Sequence, residues 1–334
     1  MNPAIVKHHK ELAQVFIDGL KDGSNHYLKP WSGGDIPPMS YNPVSGARYR
    51  GGNQFALMIA EWRMQQRDEN PLGDRRWMTY KQAASIGAQV KRGSKSQLLV
   101  TVKELEDKRK ELAPGEEAPR SLVALPFFVF HATQIDGLPP PQVFQQRPMD
   151  ERLSEAQAIV DGLGVPILSG ASQACYVPSK DRILMPDREA FVDDPAWMAT
   201  LLHECAHATG HSSRLNRPFS FDRNGAEYAR EELRAEMSSF DMCRRLGVPY
   251  NPDQHIAYVN SWIELLQKDP NELTRAAADA DRILKFLKVP ELEIDKIPTI
   301  AQEQDREQEA EVEKPQGIEK PRARKRGTAL EITL

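Results

Sequence analysis

The sequence predicts an α+β protein, with a mixed α/β unit over residues 1–145 and a mainly helical unit over residues 150–292. Two patterns carry the prediction. Apolar residues recur at helical spacing towards both ends of the chain, whereas strand-like runs cluster between residues 97 and 130 and again between 174 and 185. The stretch Leu138-Pro139-Pro140-Pro141-Gln142 marks the joint between the units.

Taken in order, residues 5–21 have the period of an amphipathic helix, and a Gly/Pro-rich loop follows over 29–43. A second helix over 53–67 carries Phe55, Leu57, Met58, Ile59, Trp62 and Met64. Thr79 is placed as the N-cap of a short helix that stops at Gly87. Residues 97–102 and 122–130 read as strands, separated by a charged excursion over 103–120. In the second unit, 154–163 is a helix, and 174–177 with 182–185 form a hairpin around Ser179-Lys180-Asp181. Asp194 as cap and Pro195 in the first turn start the helix that holds Trp197 to His207. Further helices span 226–246, 254–266 and 271–286. From 297 to 334 the chain is polar, charged and poor in aromatics, the composition of a disordered tail.

Composition removes some classes. Mean hydropathy is -0.57, and no run approaches the roughly 18 apolar residues that cross a bilayer. Lys7 and Lys10 stand where a secretion signal needs apolar residues. Cys175, Cys205 and Cys243 are odd in number and widely spaced, which argues against a disulfide framework. A cytoplasmic protein with no membrane partner is expected. The net charge of -4 conceals an asymmetry, because eleven Lys/Arg oppose four acids between residues 44 and 103, a local net of +7. A segment this basic suits a polyanionic partner.

The chemistry-bearing motif is His203-Glu204-Cys205-Ala206-His207. Residues four apart share a helix face, so His203 and His207 can offer imidazole nitrogens to one cation. Zinc acidifies a water it binds, and Glu204, beside the first ligand, is placed as the general base that takes the proton. Trp197, Met198, Leu201, Leu202, Cys205 and Ala206 make the helix apolar and hence buried, and a buried His-Glu-His cluster needs partners that a metal supplies. A catalytic zinc ion wants a third protein ligand. The metzincin continuation fails, since Gly210 fits but Ser213 stands where a third histidine belongs.

The next long helix offers Glu231, Glu232 and Glu236. At about 100° per residue, Leu233, Met237 and Phe240 form its buried stripe, Glu232 and Glu236 lie along one edge, and Glu231 points to solvent. This ExxxE arrangement is similar to that of gluzincins, where the first acid binds zinc and the second orients a ligand histidine. By that likeness Glu232 is the third ligand and Glu236 supports the site, with the reverse assignment open on helical geometry alone. The hairpin segment 181–186 is a candidate edge strand for a peptide substrate.

In the basic segment aromatics alternate with cations: Tyr49 between Arg48 and Arg50, Trp62 before Arg63, Trp77 after Arg75-Arg76. Binders of single-stranded nucleic acid combine such groups, and Lys91-Arg92-Gly93-Ser94-Lys95 reads as a phosphate-contacting turn. Several runs together resemble the ArdC antirestriction family: Arg48-Tyr49-Arg50-Gly51-Gly52-Asn53, Trp77-Met78-Thr79-Tyr80-Lys81-Gln82-Ala83, Gly87 to Gly93, and Val129 to Ile135. So do Leu202 to His211, Ser213-Arg214-Leu215-Asn216-Arg217 and Tyr228 to Glu236. The resemblance covers roughly residues 10–290 in order and extends to the N-terminal region of TraC-type conjugative primases. Gly52, where relatives often carry an apolar residue, and the charged excursion are departures from it.

The resemblance implies an N-terminal mixed α/β domain that binds single-stranded DNA and a C-terminal zincin-like (gluzincin-type) metallopeptidase domain holding Zn2+. Its expected DNA contacts are Arg48, Tyr49, Arg50, Asn53, Trp77, Lys81, Gln82, Lys91, Arg92 and Lys95. It implies a plasmid-borne antirestriction role. The alternatives are a zinc peptidase cutting a DNA-associated protein substrate and an accessory protein of conjugative priming.

Overall fold

The computed structural model describes residues 2–21, 39–70, 73–106, 120–142, 147–218, 222, 225–250, 259–291 and 293–304. Most of the Gly/Pro-rich loop, the tip of the charged excursion, the start of the 254–266 helix and the tail from 305 lie outside them.

In the first unit, α1 (Pro3–Lys21) and α2 (Gly51–Gln66) cover one face of a three-stranded antiparallel sheet. The sheet is ordered β1 (Trp77–Met78), β4 (Arg120–His131), β3 (Gln97–Glu106). β3 and β4 make a long ribbon, in register from Gln97↔Val129 to Glu106↔Arg120. Leu99 and Val129, both fully buried, point towards the helices. The outer edge of β3 is closed at Val100, where Asn53 Nδ2 donates to its carbonyl (2.7 Å) and its N–H donates to Asn53 Oδ1 (2.8 Å). Against the other face, at the inner end of the ribbon, pack α3 (Tyr80–Ser85), β2 (Gln89–Val90) and its partner β5 (Ile135–Asp136). Thr79 caps α3 as expected, its side chain accepting from the Gln82 N–H (3.3 Å) while Gln82 Oε1 accepts from the Thr79 N–H (3.0 Å).

Glu61 anchors the interior of this unit. Its fully buried carboxylate accepts hydrogen bonds from Ser40 Oγ (2.8 Å), Trp77 Nε1 (2.8 Å) and the Arg75 guanidinium.

The second unit contains α4 (Met149–Leu163), a small sheet, α5 (Asp194–Ala208), α6 (Ala226–Leu246), α7 (Val259–Lys268) and α8 (Asn271–Phe286). The sheet is ordered β6 (Ile167–Leu168), β8 (Arg182–Leu184), β7 (Cys175–Val177), with β8 parallel to β6 and antiparallel to β7. The expected edge at 181–186 is therefore the central strand. Two residues, Ile167 and Leu168, form the partner that the sequence reading missed, a run too short to show a period. The edge that lies against α5 is β7.

The two units share one core. α8 packs between α6 and α2, while α1 packs on α7 and α8, so Phe16, Phe55 and Met58 are continuous with Leu233, Phe240, Leu201 and Leu202. Gly52 permits this approach, since a Cβ there would stand 3.3 Å from the Thr274 side chain. Gly51 enters α2 with φ of +53°, where other residues are strained. The first residues of the expected tail are ordered: the Ile297 N–H donates to Pro43 O (2.8 Å), and residues 300–304 are helical behind a Thr299–Gln302 cap.

Candidate metal centre

α5 is apolar on most of its circumference because it is packed by α4, α6 and the β7–β8 pair. Its N-cap is Asp193, one residue earlier than expected, whose side chain accepts from the Ala196 N–H (2.8 Å), with Pro195 in the first turn. His203, Glu204 and His207 are all buried, and the two histidines face α6.

The two imidazoles meet at 80°, their Nε2 atoms 3.2 Å apart. Glu232 reaches between them, with Oε2 3.6 Å from His203 Nε2 and Oε1 3.6 Å from His207 Nε2. The other ring nitrogens are held from behind. His207 Nδ1 lies 3.3 Å from Glu231 Oε1, and His203 Nδ1 lies 3.5 Å from Glu236 Oε2. A carboxylate only accepts, so with a cation bound these contacts would hold the ring protons on Nδ1 and turn both Nε2 lone pairs towards one point. Without a cation, a proton on the pair takes its place between the two Nε2 atoms and Glu232. Zinc bound at about 2.0–2.1 Å in tetrahedral geometry requires ligand atoms roughly 3.3–3.4 Å apart, close to the separations seen. His203, His207 and Glu232 thus fit a divalent cation.

Glu236 stands where the gluzincin likeness places it, and its Oε1 accepts from the Tyr250 hydroxyl. Glu231 does not point to solvent. It is buried and gripped by Arg217, which donates from Nε to Oε2 (3.0 Å) and from Nη2 to Oε1 (2.7 Å). α6 is packed on two sides, by α5 and by α8, so its buried arc extends beyond the apolar stripe and takes in Glu231.

Electrostatics follow from this packing. Burial alone would lower the His203 pKa, but hydrogen bonds to Glu232 and Glu236 outweigh it and hold it at about 9. Burial opposes protonation of His207 too, and Glu232 and Glu231 overcome it. Burial would raise the Glu232 pKa, yet the two histidines keep it well below the usual carboxylate range. Below pH 9 an incoming cation must therefore expel a proton from the pair. As pH is lowered beneath that value, metal affinity is expected to fall about tenfold per pH unit for each proton displaced. Calorimetry in buffers of different ionisation enthalpy checks this by counting the protons released near pH 7; a count of zero contradicts it.

The expected DNA contacts divide into two groups. Trp77 is 2% exposed and gives its indole N–H to Glu61, so neither of its faces is open to a base. Tyr49 packs on the core and donates to Trp77 O (2.9 Å). Asn53 closes the β3 edge, and Gln82 closes the α3 cap and accepts from Asn42 Nδ2 (2.9 Å). Arg50 pairs with Glu291 (2.6 Å) where the units join, and Arg48 lies near the same acid and Arg245. Of these six, Arg50 is exposed and the other five are wholly or partly buried within the fold.

Lys81, Lys91, Arg92 and Lys95 are exposed. So are two aromatics that the sequence reading passed over, Tyr80 at 52% and Phe128 at 50%. By register, Phe128 shares a ribbon face with Leu98, Val100, Val102, Pro126 and Leu122, which is 77% exposed. This apolar face runs outward from Phe130, where α3 and β2 cover it, so the 91–95 turn sits at its inner end. Strand alternation does not reveal it, since both faces of these strands are apolar.

A two-histidine helix sharing a carboxylate from the following helix, below a small sheet with an antiparallel edge, defines a zincin-like metallopeptidase domain. Here it shares its core with a mixed α/β unit. The zincin-like metallopeptidase family matches residues 154–279, and the N-terminal domain of anti-restriction factor ArdC matches residues 7–130. The chain belongs to the ArdC antirestriction family. It is 31% identical to the antirestriction protein ArdC from the R388 plasmid, whose crystal structures are Mn(II)-bound and metal-free. Each superposes with a TM-score of 0.66, covering 84% of this chain and 96% of that one. The uncharacterized protein y4eC of Sinorhizobium fredii (strain NBRC 101917 / NGR234) is 33% identical over 286 residues, 84% of this chain and 91% of the relative. Two Escherichia coli proteins named DNA primase TraC are 39% identical over 299 and 300 residues. The chain spans only 20% and 27% of their lengths.

Proposed function

We propose that the chain is an antirestriction protein of a plasmid or other mobile element that binds single-stranded DNA and carries a zinc-dependent peptidase centre. The observation that carries the reading is the convergence of His203, His207 and Glu232 on one point in a chain of this family. A zinc ion there would supply Lewis-acid polarisation of a water and of a substrate carbonyl. Glu204, buried next to His203 and close enough for its charge to act on both histidines, would take the proton released during attack. A polypeptide substrate would lie along β7, an outer strand of the small sheet that packs on α5.

The DNA site follows from exposure. Phe128 and the apolar ribbon face offer bases a stacking surface, and Lys91, Arg92 and Lys95 meet the phosphates at its inner end. Phe128→Ala is expected to weaken single-stranded DNA binding by about 1–3 kcal/mol. Replacing Lys91, Arg92 and Lys95 together by Ala should lower the salt slope by about 2. Fluorescence anisotropy over a salt series reads both, and an unchanged slope or a preference for duplex would exclude this face. Accessory priming has less support. Among the described residues the one cluster of three metal-capable groups lies in the zincin-like unit.

A further inference from the structure

The run Ser213-Arg214-Leu215-Asn216-Arg217 has no part in the proposed chemistry, yet its two arginines reach the two structures that chemistry needs. We propose that the loop over residues 209–217 is a two-armed brace, in which Arg217 acts through Glu231 to position His207 and Arg214 fixes the β7–β8 hairpin to the same helix end. The inference rests on the metal reading given above.

Arg217 lies on irregular backbone, so its side chain is held by what it bonds. Its guanidinium makes four hydrogen bonds. Two grip both oxygens of Glu231, a third runs from Nη2 to Ala206 O (2.8 Å), and a fourth from Nη1 to Thr209 Oγ1 (2.8 Å). The forked grip fixes the plane of the Glu231 carboxylate and keeps it ionised, and Oε1 then faces His207 Nδ1. Ala206 O belongs to the last turn of α5, where carbonyls lack helical partners and cations are favoured. One side chain thus caps the helix that bears His207 and sets that histidine's ring.

Arg214 does the corresponding work on the sheet. Nε donates to Ala208 O (2.7 Å), the last carbonyl of α5, while Nη1 donates to Asp181 Oδ2 (3.1 Å) and Nη2 to the Tyr176 hydroxyl oxygen (3.1 Å). Tyr176 donates in turn to Asp181 Oδ1 (2.7 Å). Asp181 is the turn residue of the hairpin, held at φ of +43°, and Tyr176 is the middle residue of β7. The loop closes on itself through Leu215 N–H to Thr209 O (2.9 Å) and Arg217 N–H to Gly210 O (2.9 Å), with Asn216 left-handed at φ of +49°. A lysine cannot copy either arm, because each depends on the planar fork.

The test uses the full chain and zinc or cobalt alone as probe. Zinc affinity is read by competition with a chromogenic chelator, and ligand geometry by the visible bands of the cobalt form. Arg217→Gln is expected to raise the Kd about 10–100-fold and to shift the cobalt bands, with Arg217→Lys recovering little. The isosteric Glu231→Gln, which keeps the fold should Arg217→Gln not, is expected to do the same. Arg214→Lys should leave Kd within about twofold and instead accelerate amide exchange over 175–184. Wild-type affinity and spectrum in both Arg217→Gln and Glu231→Gln would overturn the brace while leaving the metal reading intact. If His207→Ala binds zinc as tightly as wild type, the metal reading falls and takes the brace with it.

Discussion

Glu204→Gln is expected to keep the fold and the metal while lowering peptide-bond hydrolysis by about 10²–10⁴-fold, the usual contribution of a positioned general base. The amide preserves the size of the side chain on α5 but cannot accept the proton. Glu204 lies outside the group of His203, His207 and Glu232 that converges on the cation, so zinc affinity should stay near wild type. Two outputs are needed together: cleavage of proteins recovered with single-stranded DNA, and protection of incoming DNA in a restricting host. Lost cleavage with lost protection makes proteolysis the mechanism. Full protection by the variant would separate antirestriction from hydrolysis and leave the DNA face as the active element.

Glu61→Ala is expected to have the largest effect on stability, a loss of about 3–5 kcal/mol, because it strands the buried Arg75 guanidinium. Few single changes approach this size against a total stability of about 5–15 kcal/mol. Glu61 also receives Ser40 and Trp77, so three donors lose their acceptor at once. The paired replacement Glu61→Leu with Arg75→Met should recover much of the loss by removing both charges. Urea denaturation followed by circular dichroism measures each, and a Glu61→Ala loss below about 1 kcal/mol would mean that water reaches Arg75.

The parts legible in the sequence are those set by local spacing. The interval from His203 to His207 and the step from Glu232 to Glu236 are helical periods; His203, His207 and Glu232 converge on the proposed metal position, and Glu236 stands behind His203 at Nδ1. Cap chemistry likewise located Thr79 and, to within one residue, the start of α5. What was misread depends on partners distant in sequence. Glu231 looks solvated until Arg217 is placed beside it, and 181–186 looks like an edge until β6 pairs with it. Trp77 and Tyr49 sit among cations in the sequence because the buried Glu61 and the joint between the units need those arginines nearby. Of the exposed aromatics in the first unit, Tyr80 stands beside Lys81 whereas Phe128 has no charged neighbour in sequence. Phe128 lies in a run apolar on both faces, where sequence cannot tell the inward face from the outward one.

The interleaving of α2 with α8 also bears on how such a chain can be rearranged by recombination. A crossover near residue 145 would strand Phe16, Phe55 and Met58 on one product and Leu233 and Phe240 on the other, so each hybrid would carry an oily flank into water. Fusion junctions that respect the fold fall beyond the strap at 297–304, which still rests on Pro43. Both halves must therefore travel together, as one indivisible cassette, when the block is joined to other coding sequence. The relatives named as primases fit that rule, since each matches across both halves within a much longer chain.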